Sequence, residues 1–284
     1  MKFDRHKTLL GRKRGFSHQP VFVFGCSHRC GGTLLQRLLN SVPQILIWGE
    51  HNGYLNDFFW NYGNLLKWSM QHNDERLLFF KSGYDNFLPN MFPDQETIRE
   101  AGYTYLISLF ALPAMSLGRR VWGFKEVRYG AEVALGLQEF FPEMRVIHLI
   151  RHPVDIYLSM KSWEDDDPGW DRNLTKRSMS NWARINRSFL ESKREINHLL
   201  QVKFEDMIAT PEGFTRQLAE FLEIPQESFN QDVFSRKLAR YGETEKLPRR
   251  SKPAISDLTE RDKNLLAASE IHALAAAYGY AIDF

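Results

Sequence analysis

A segment near the beginning of the sequence combines glycines, an arginine and a threonine in a pattern that suits anion binding. Residues 21–24 are all apolar, as in a strand that is buried on both faces of a sheet. Residues 25–33 (Gly-Cys-Ser-His-Arg-Cys-Gly-Gly-Thr) follow, and residues 34–39 then have the spacing of an amphipathic helix. A glycine-rich turn between a strand and a helix directs several backbone N–H groups and the positive helix end towards one point. The segment therefore predicts a phosphate-binding loop.

The predicted loop differs from the ATP-binding loops of the Walker type. Those loops end in Gly-Lys-Ser/Thr, at a shorter spacing from the first glycine. Here five residues separate Gly25 from Gly31, and the loop contains no lysine. Arg29 stands in the loop instead, and its planar guanidinium can hold an oxyanion through two parallel hydrogen bonds. These differences disfavour ATP chemistry.

Cys26 and Cys30 flank His28 within the same loop, a combination that could bind a metal ion. A zinc site requires a fourth ligand and usually a second pair of ligands elsewhere in the sequence. The anion-binding turn explains the same residues better, so we expect no metal here. Both thiols suit a reducing compartment.

The rest of the sequence alternates between predicted strands and helices. Apolar segments with strand character occur at residues 45–47, 122–125, 145–150 and 200–204. Helices are predicted at 131–141, from about 154, and at 178–195, 211–222 and 259–278. This alternation predicts an α/β fold with a central, mainly parallel sheet that helices flank on both faces. We expect a single domain, 1–284, with a helical, aromatic-rich insertion on the substrate side at about 51–115.

The loop residues Arg29-Cys30-Gly31-Gly32-Thr33-Leu34 resemble the phosphosulfate loop of sulfotransferases that use 3'-phosphoadenosine-5'-phosphosulfate (PAPS). The resemblance continues at Arg151, at the end of a predicted strand, and at Ser159, eight residues later, which look like the family's 3'-phosphate site. An arginine and a hydroxyl at a helix N-terminus can hold a second anion. A later segment, 202–207 with Phe204, is also similar to the family. The two anion sites together are much stronger evidence than either motif alone.

The resemblance implies a three-layer, P-loop-like fold, with PAPS as the cofactor and adenosine 3',5'-bisphosphate (PAP) as its product. Sulfuryl transfer needs a base, because the acceptor loses a proton. Glu50 lies 21 residues after Arg29 and follows a predicted strand. Branches of the family such as the tyrosylprotein sulfotransferases have a Gly-Glu at about this offset as the base, which implies this role for Glu50. His51 is the alternative, since imidazole titrates near neutral pH and other branches use histidine.

Several cations have implied roles as well. Arg29, and Lys125 in a segment that resembles the family's Lys-Asp-Pro, would stabilise charge on the leaving group. Arg249 and Arg250 belong to a basic loop, 246–252, that would either cover the 3'-phosphate or remain a solvated charged segment.

The sequence departs from the family pattern at three positions. Cys30 replaces the usual serine and is a weaker hydrogen-bond donor. Phe204 stands where many members have tyrosine, and Trp163 stands where the tyrosylprotein branch has a second arginine. These changes argue against that branch and leave the cofactor prediction intact.

Composition excludes several other classes of protein. The 284 residues include 37 Lys and Arg and 35 Asp and Glu, and a net charge of +2 provides no extended field for binding nucleic acid. The longest apolar runs are too short to cross a bilayer, and the basic residues 1–18 lack an apolar signal core. We therefore expect a soluble, cytoplasmic protein without nucleic-acid or membrane partners.

The sequence thus predicts transfer of a sulfuryl group from PAPS to a hydroxyl or amine of a small molecule. Aromatic residues within 54–68 would either line a pocket for an aromatic acceptor or pack as core helices. The acidic run 164–167 would either attract a cationic acceptor or remain a solvated loop. The main alternative is a P-loop-like kinase of a small metabolite, against which the missing loop lysine argues. A nucleotide-binding protein without catalysis is a further alternative, and Glu50 and His51 count against it.

Overall fold

The strands of the described part of the chain form one parallel sheet. The computed structural model describes residues 17–166, 171–236 and 254–284. Within these ranges the strands are β1 (Val21–Gly25), β2 (Ile45–Trp48), β3 (Val121–Glu126), β4 (Arg145–Ile150) and β5 (Leu199–Lys203). They pair in the order β2-β3-β1-β4-β5, and each neighbouring pair is parallel. The predicted α/β class is confirmed.

The central strands β1 and β4 are buried on both faces, which explains the unbroken apolar run of β1. Successive side chains of a strand point to opposite faces. Along β1, Val21 and Val23 therefore enter one hydrophobic core, whereas Phe22 and Phe24 enter the other. The sheet is the middle layer of three, with helices packed on each side of it.

Helices connect and cover the strands. In the described ranges they are α1 (Gly32–Asn40), α2 (Leu55–Gln71), α3 (Asn73–Ser82), α4 (Gln95–Leu106), α5 (Leu112–Ser116), α6 (Ala131–Phe140), α7 (Pro153–Asp166), α8 (Arg172–Glu191), α9 (Phe204–Ala209), α10 (Pro211–Leu222), α11 (Glu260–Leu266) and α12 (Ser269–Ala277). Helices α2 to α5 follow β2 and precede β3, in the region predicted to be a helical insertion. None of the helices in the described ranges is long and apolar enough to cross a bilayer.

Some predicted boundaries were wrong. The single final helix expected at 259–278 is two helices, because Ala268 leaves the helical conformation (φ −52°, ψ 132°). The break lets Leu266 of α11 and Ile271 of α12 both pack into the same core. Helix α8 begins before residue 178, because the Asp171 side chain caps it by accepting a hydrogen bond from the Asn173 N–H (2.9 Å). Phe204, expected at the end of β5, begins α9 instead.

The strand order places the predicted site residues at one edge of the sheet. Strand β1 is central, so the loop that follows it lies between the ends of β3 and β4. The carboxyl ends of parallel strands share an edge, and ligands of such folds bind there. Glu50 after β2, Arg151 after β4 and Phe204 after β5 come to this edge together with the loop.

A buried carboxylate fixes helix α7, which carries Ser159. Asp262 accepts hydrogen bonds from Tyr157 (2.5 Å) and Lys161 (2.7 Å), both on α7, and from the Thr259 N–H (3.0 Å). Burial alone would raise the pKa of Asp262, but these partners outweigh burial and hold the pKa well below its usual value. The carboxylate therefore stays ionised and ties α11 to α7.

Candidate active site

The loop between β1 and α1 has a backbone conformation that brings other elements close to it. Gly31 precedes α1 with a positive φ of 94°, in the left-handed region that favours glycine. A Cβ atom at Gly31 would lie only 2.1 Å from the Phe204 ring, and a Cβ at Gly32 would lie 3.0 Å from the Lys125 side chain. The two glycines therefore allow Phe204 and Lys125 to approach the loop.

A cavity of about 360 Å³ opens over this loop. It is lined by His28, Arg29, Cys30, Gly31, Gly32, Thr33, Glu50, Lys125, Val127, Arg151 and Phe204. Most of the residues predicted from the sequence thus face one space. Leu34 instead packs against the hydrophobic core, and Arg249 and Arg250 lie outside the described residues.

Arg151 joins the end of β4 to the loop. Its side chain is largely buried, and Nη1 donates a hydrogen bond to the Arg29 carbonyl oxygen (2.7 Å). The guanidinium lies over the Phe204 ring, 4.4 Å from its centroid. Its Nε is buried and has no hydrogen-bond partner among the described residues. A buried cation with an unused donor is the group that an anionic ligand would satisfy.

Arg29 extends from the loop across α7. Its backbone has a positive φ of 63°, which is uncommon for a residue with a side chain. Nε donates to Ser159 Oγ (3.2 Å), and the guanidinium lies 4.5 Å from the centroid of the Trp163 ring. Ser159, which was predicted to form the 3'-phosphate site together with Arg151, is thus held by Arg29. Trp163, one turn further along α7, supports the same guanidinium.

Glu50 lies in the cavity wall between two cations. Its Oε1 accepts a hydrogen bond from Lys125 Nζ (2.5 Å), and its Oε2 accepts one from Arg128 Nη1 (2.9 Å). Burial would raise the pKa of Glu50, but the two cations and His28 outweigh burial, so the pKa lies below its usual value. Glu50 is therefore ionised at neutral pH.

His51, the alternative base, has a different environment. Its ring packs against Phe110 and Phe124, and its Nε2 hydrogen bonds with the Tyr129 hydroxyl (2.7 Å). Burial lowers the pKa of His51, so the imidazole is neutral. Glu50 lines the cavity, whereas His51 does not. The geometry therefore favours Glu50 over its neighbour.

The two cysteines lie inside the loop. Both are fully buried, and neither forms a disulfide bond. A hydrogen bond from Cys26, assisted by the N–H groups of Gly32 and Ser27, lowers the pKa of Cys30 to about 7. Among the described residues, no group of three or more histidine, cysteine or acidic side chains is arranged to hold a metal ion.

Three residues of this site were not predicted from the sequence to belong to it, and His28 was considered only as a metal ligand. His28 lines the cavity, and its Nε2 is buried without a hydrogen-bond partner among the described residues. Glu126 accepts a hydrogen bond from the N–H of His51, in the turn after Glu50. Arg128 donates a hydrogen bond to the Glu50 carboxylate. Their position within three residues of Lys125 could have suggested that they belong to the site. Only the fold shows that they face the segment after β2.

The fold and the site define an α/β protein with a cation-lined cavity at the carboxyl ends of a parallel sheet. Residues 20–228 match the sequence profile of the sulfotransferase family, and the chain belongs to this family. It is therefore a sulfotransferase, an enzyme that transfers a sulfuryl group to an acceptor. The resemblance stated from the sequence motifs is thereby confirmed, and the kinase and non-catalytic interpretations are set aside.

Solved structures share the fold at low sequence identity. The sulfotransferase domain of the Synechococcus PCC 7002 olefin synthase is 16% identical, with a TM-score of 0.52, over 95% of this chain and 98% of that one. Sulfotransferase STF9 of Mycobacterium avium is 12% identical, with a TM-score of 0.51, over 94% of this chain and 77% of that one. Mouse sulfotransferase SULT7A1, complexed with PAP, is 12% identical, with a TM-score of 0.50, over 92% and 88%. A search of curated proteins finds no match to this sequence.

The residues around the cavity fit an adenosine nucleotide with two anionic ends. Arg151 offers a buried, unused donor at one strand end. The loop offers glycines without Cβ atoms beside the Arg29 guanidinium. This arrangement supports the prediction that PAPS is held between the loop and Arg151.

We expect Arg151→Ala to weaken PAP binding by about a hundredfold, because removing one partner of a buried charged contact costs roughly 2 to 5 kcal/mol. Isothermal titration calorimetry with PAP measures the change, and a thermal melt checks the fold. Arg216→Ala, at an exposed arginine of α10, serves as the matched control and should bind PAP like the wild type. Wild-type affinity in Arg151→Ala would refute this role.

Proposed function

We propose that the enzyme transfers the sulfuryl group to a hydroxyl or amine of a small molecule, with Glu50 as the general base. The observation that carries the proposal is the placement of Glu50 in the wall of the cavity that also contains Arg29 and Lys125. A base and the cations that stabilise the leaving group must share one space, and these residues do.

The charge state of Glu50 suits the proposed role. Because the neighbouring cations keep its pKa low, the carboxylate is ionised and can accept a proton. In the reaction, the acceptor O–H or N–H bond breaks and its proton passes to a Glu50 oxygen. The acceptor atom forms the new bond to sulfur, while the bond between sulfur and the phosphate oxygen breaks.

Arg29 and Lys125 are proposed to stabilise the charge that develops on the phosphate oxygen. PAPS supplies the sulfuryl group when it is bound, and the loop residues 29–33 are proposed to hold its phosphosulfate. Arg151 is proposed to hold its 3'-phosphate, and Phe204, which stacks on Arg151, lies beside the same region. Removal of one such preorganised donor typically costs about 3 kcal/mol of transition-state stabilisation.

We place the acceptor's apolar part in a second cavity, of about 580 Å³, between α2 and α4. It is lined by Tyr54, Asp57, Phe58, Asn61, Tyr62, Leu65, Phe92, Pro93, Thr97, Ile98, Ala101, Gly102 and Tyr105. Its first lining residue, Tyr54, follows Glu50 by four positions, and its ring approaches that of His51 (5.9 Å between centroids). Apolar walls with a few polar groups are typical of small-molecule sites. This cavity supports the assignment of the 51–115 region to the substrate side.

The acceptor proposed for this cavity is a hydroxyl or amine that carries an aromatic or aliphatic group. Asp57 and Asn61 supply polar atoms within an otherwise apolar lining. The acidic run 164–167, which was predicted to attract a cationic acceptor, lies outside the side chains that the structure describes.

We expect Glu50→Gln to lower kcat by about 10²- to 10⁴-fold, because glutamine cannot accept the acceptor's proton. The measurement is turnover of PAPS with any acceptor found active with the wild type, and calorimetry with PAP shows that the cofactor site is intact. His51→Gln is the paired variant and should retain most activity. Full activity in Glu50→Gln, together with loss in His51→Gln, would make His51 the base.

A second expected result concerns Ala101, which is exposed in the lining of the acceptor cavity. Ala101→Trp should fill part of that cavity while leaving the cofactor site unchanged. With 2-naphthol, phenol and ethanol as probes, we expect the wild type to favour the larger aromatic alcohol and the variant to lose this preference. Equal discrimination by both proteins, at unchanged PAP affinity, would place the acceptor elsewhere.

A further inference from the structure

Glu126, at the end of β3, is a fully buried carboxylate. Each of its two oxygens accepts two hydrogen bonds from neighbouring groups. Oε2 accepts hydrogen bonds from the N–H groups of His51 (3.0 Å) and Gly53 (3.0 Å). Oε1 accepts from the Val127 N–H (2.9 Å) and from Arg128 Nη1 (2.5 Å). A buried carboxylate is costly unless it is satisfied in this way.

The bonds to His51 and Gly53 hold the turn that directly follows Glu50. This turn contains two successive residues with positive φ, Asn52 (59°) and Gly53 (72°). Backbone N–H groups around such a turn converge on one point and favour an anion there. The Glu126 carboxylate occupies that point, and its hydrogen bonds fix the position of the turn relative to β3.

Arg128 connects this buried carboxylate to Glu50. The same nitrogen, Nη1, contacts Glu126 Oε1 (2.5 Å) and Glu50 Oε2 (2.9 Å). Glu50 Oε2 is therefore held by Arg128, while Oε1 faces Lys125. Glu126 therefore positions Arg128, and Arg128 positions one oxygen of Glu50.

We propose that Glu126 and Arg128 are positioning residues that orient Glu50 for proton abstraction. The proposal rests on the role of Glu50 as the base. The proposal does not require either residue to touch the substrate. Glu126 is fully buried and acts through the turn and through Arg128. Arg128 acts through its contact with Glu50.

The titratable groups that face Glu50 are Lys125 from β3, Arg128 from the segment after it, and His28 from the loop. Both cations lower the pKa of Glu50, so loss of Arg128 leaves Lys125 alone and the pKa rises. Activity requires the ionised carboxylate and falls as the pH drops through that pKa. The acidic limb of the pH profile should therefore move to higher pH when Arg128 is removed.

The test compares Arg128→Met with Arg128→Lys in the full chain. We expect Arg128→Met to raise the midpoint of the acidic limb of kcat/KM by about one pH unit and to lower kcat, at unchanged PAP affinity. Arg128→Lys keeps the charge and should keep the limb near its wild-type position. Arg216→Met, at an exposed arginine of α10, controls for the loss of a surface arginine.

Glu126→Gln is the second variant, since an amide nitrogen cannot accept the hydrogen bonds that a carboxylate oxygen accepts. It should lower kcat and leave PAP affinity intact. Should this buried change prevent folding, the Arg128 pair still decides the proposal, because Arg128 is partly exposed.

An acidic limb in Arg128→Met that coincides with the wild-type limb overturns the proposal. A loss of activity that is matched by an equal loss of PAP affinity overturns it as well. Full activity of Glu50→Gln has a different meaning, because it removes the base on which the positioning residues act. The two failures are therefore distinguishable.

Discussion

The hydrogen bond from Arg151 to the Arg29 carbonyl is the contact on which the proposed cofactor site depends. It ties the end of β4 to the loop after β1, so two segments that are 122 residues apart present their cations to one cavity. Phe204 supports Arg151 from one side, and Trp163 supports Arg29. The glycines of the loop are needed because a Cβ atom at Gly31 would occupy the place of Phe204.

Two carboxylates of the site differ in environment, and the roles proposed for them follow from this difference. Glu126 is fully buried, and four donors hold its oxygens. Glu50 is one third exposed and lies in the cavity wall, held by Lys125 and Arg128. A buried and satisfied carboxylate can only support its surroundings, whereas a carboxylate at a cavity wall can exchange a proton with a ligand.

The sequence was sufficient to predict the sheet, the loop and the arginine after β4. Strands buried on both faces have continuous apolar runs, and the ends of parallel strands meet, so these residues follow from local patterns. The sequence alone could not predict the hydrogen bond between Arg29 and Ser159 or the one between Arg128 and Glu50. Those contacts join residues that are 130 and 78 positions apart, and no local pattern encodes them. The break at Ala268 was missed for a related reason. Alanine-rich segments favour helix, and the packing of Leu266 and Ile271 into one core is not visible in the local sequence.

The most direct test of this account is the affinity of the wild-type protein for PAP, compared with that for AMP, which lacks the 3'-phosphate, and for ATP with Mg²⁺. If the loop and Arg151 form two anion sites on one nucleotide, PAP should bind about a hundredfold or more tighter than AMP, since the 3'-phosphate gains charge-assisted hydrogen bonds in a buried place. ATP with Mg²⁺ should bind weakly. Equal affinity for PAP and AMP, or preferential binding of ATP with Mg²⁺, would contradict the two-site arrangement.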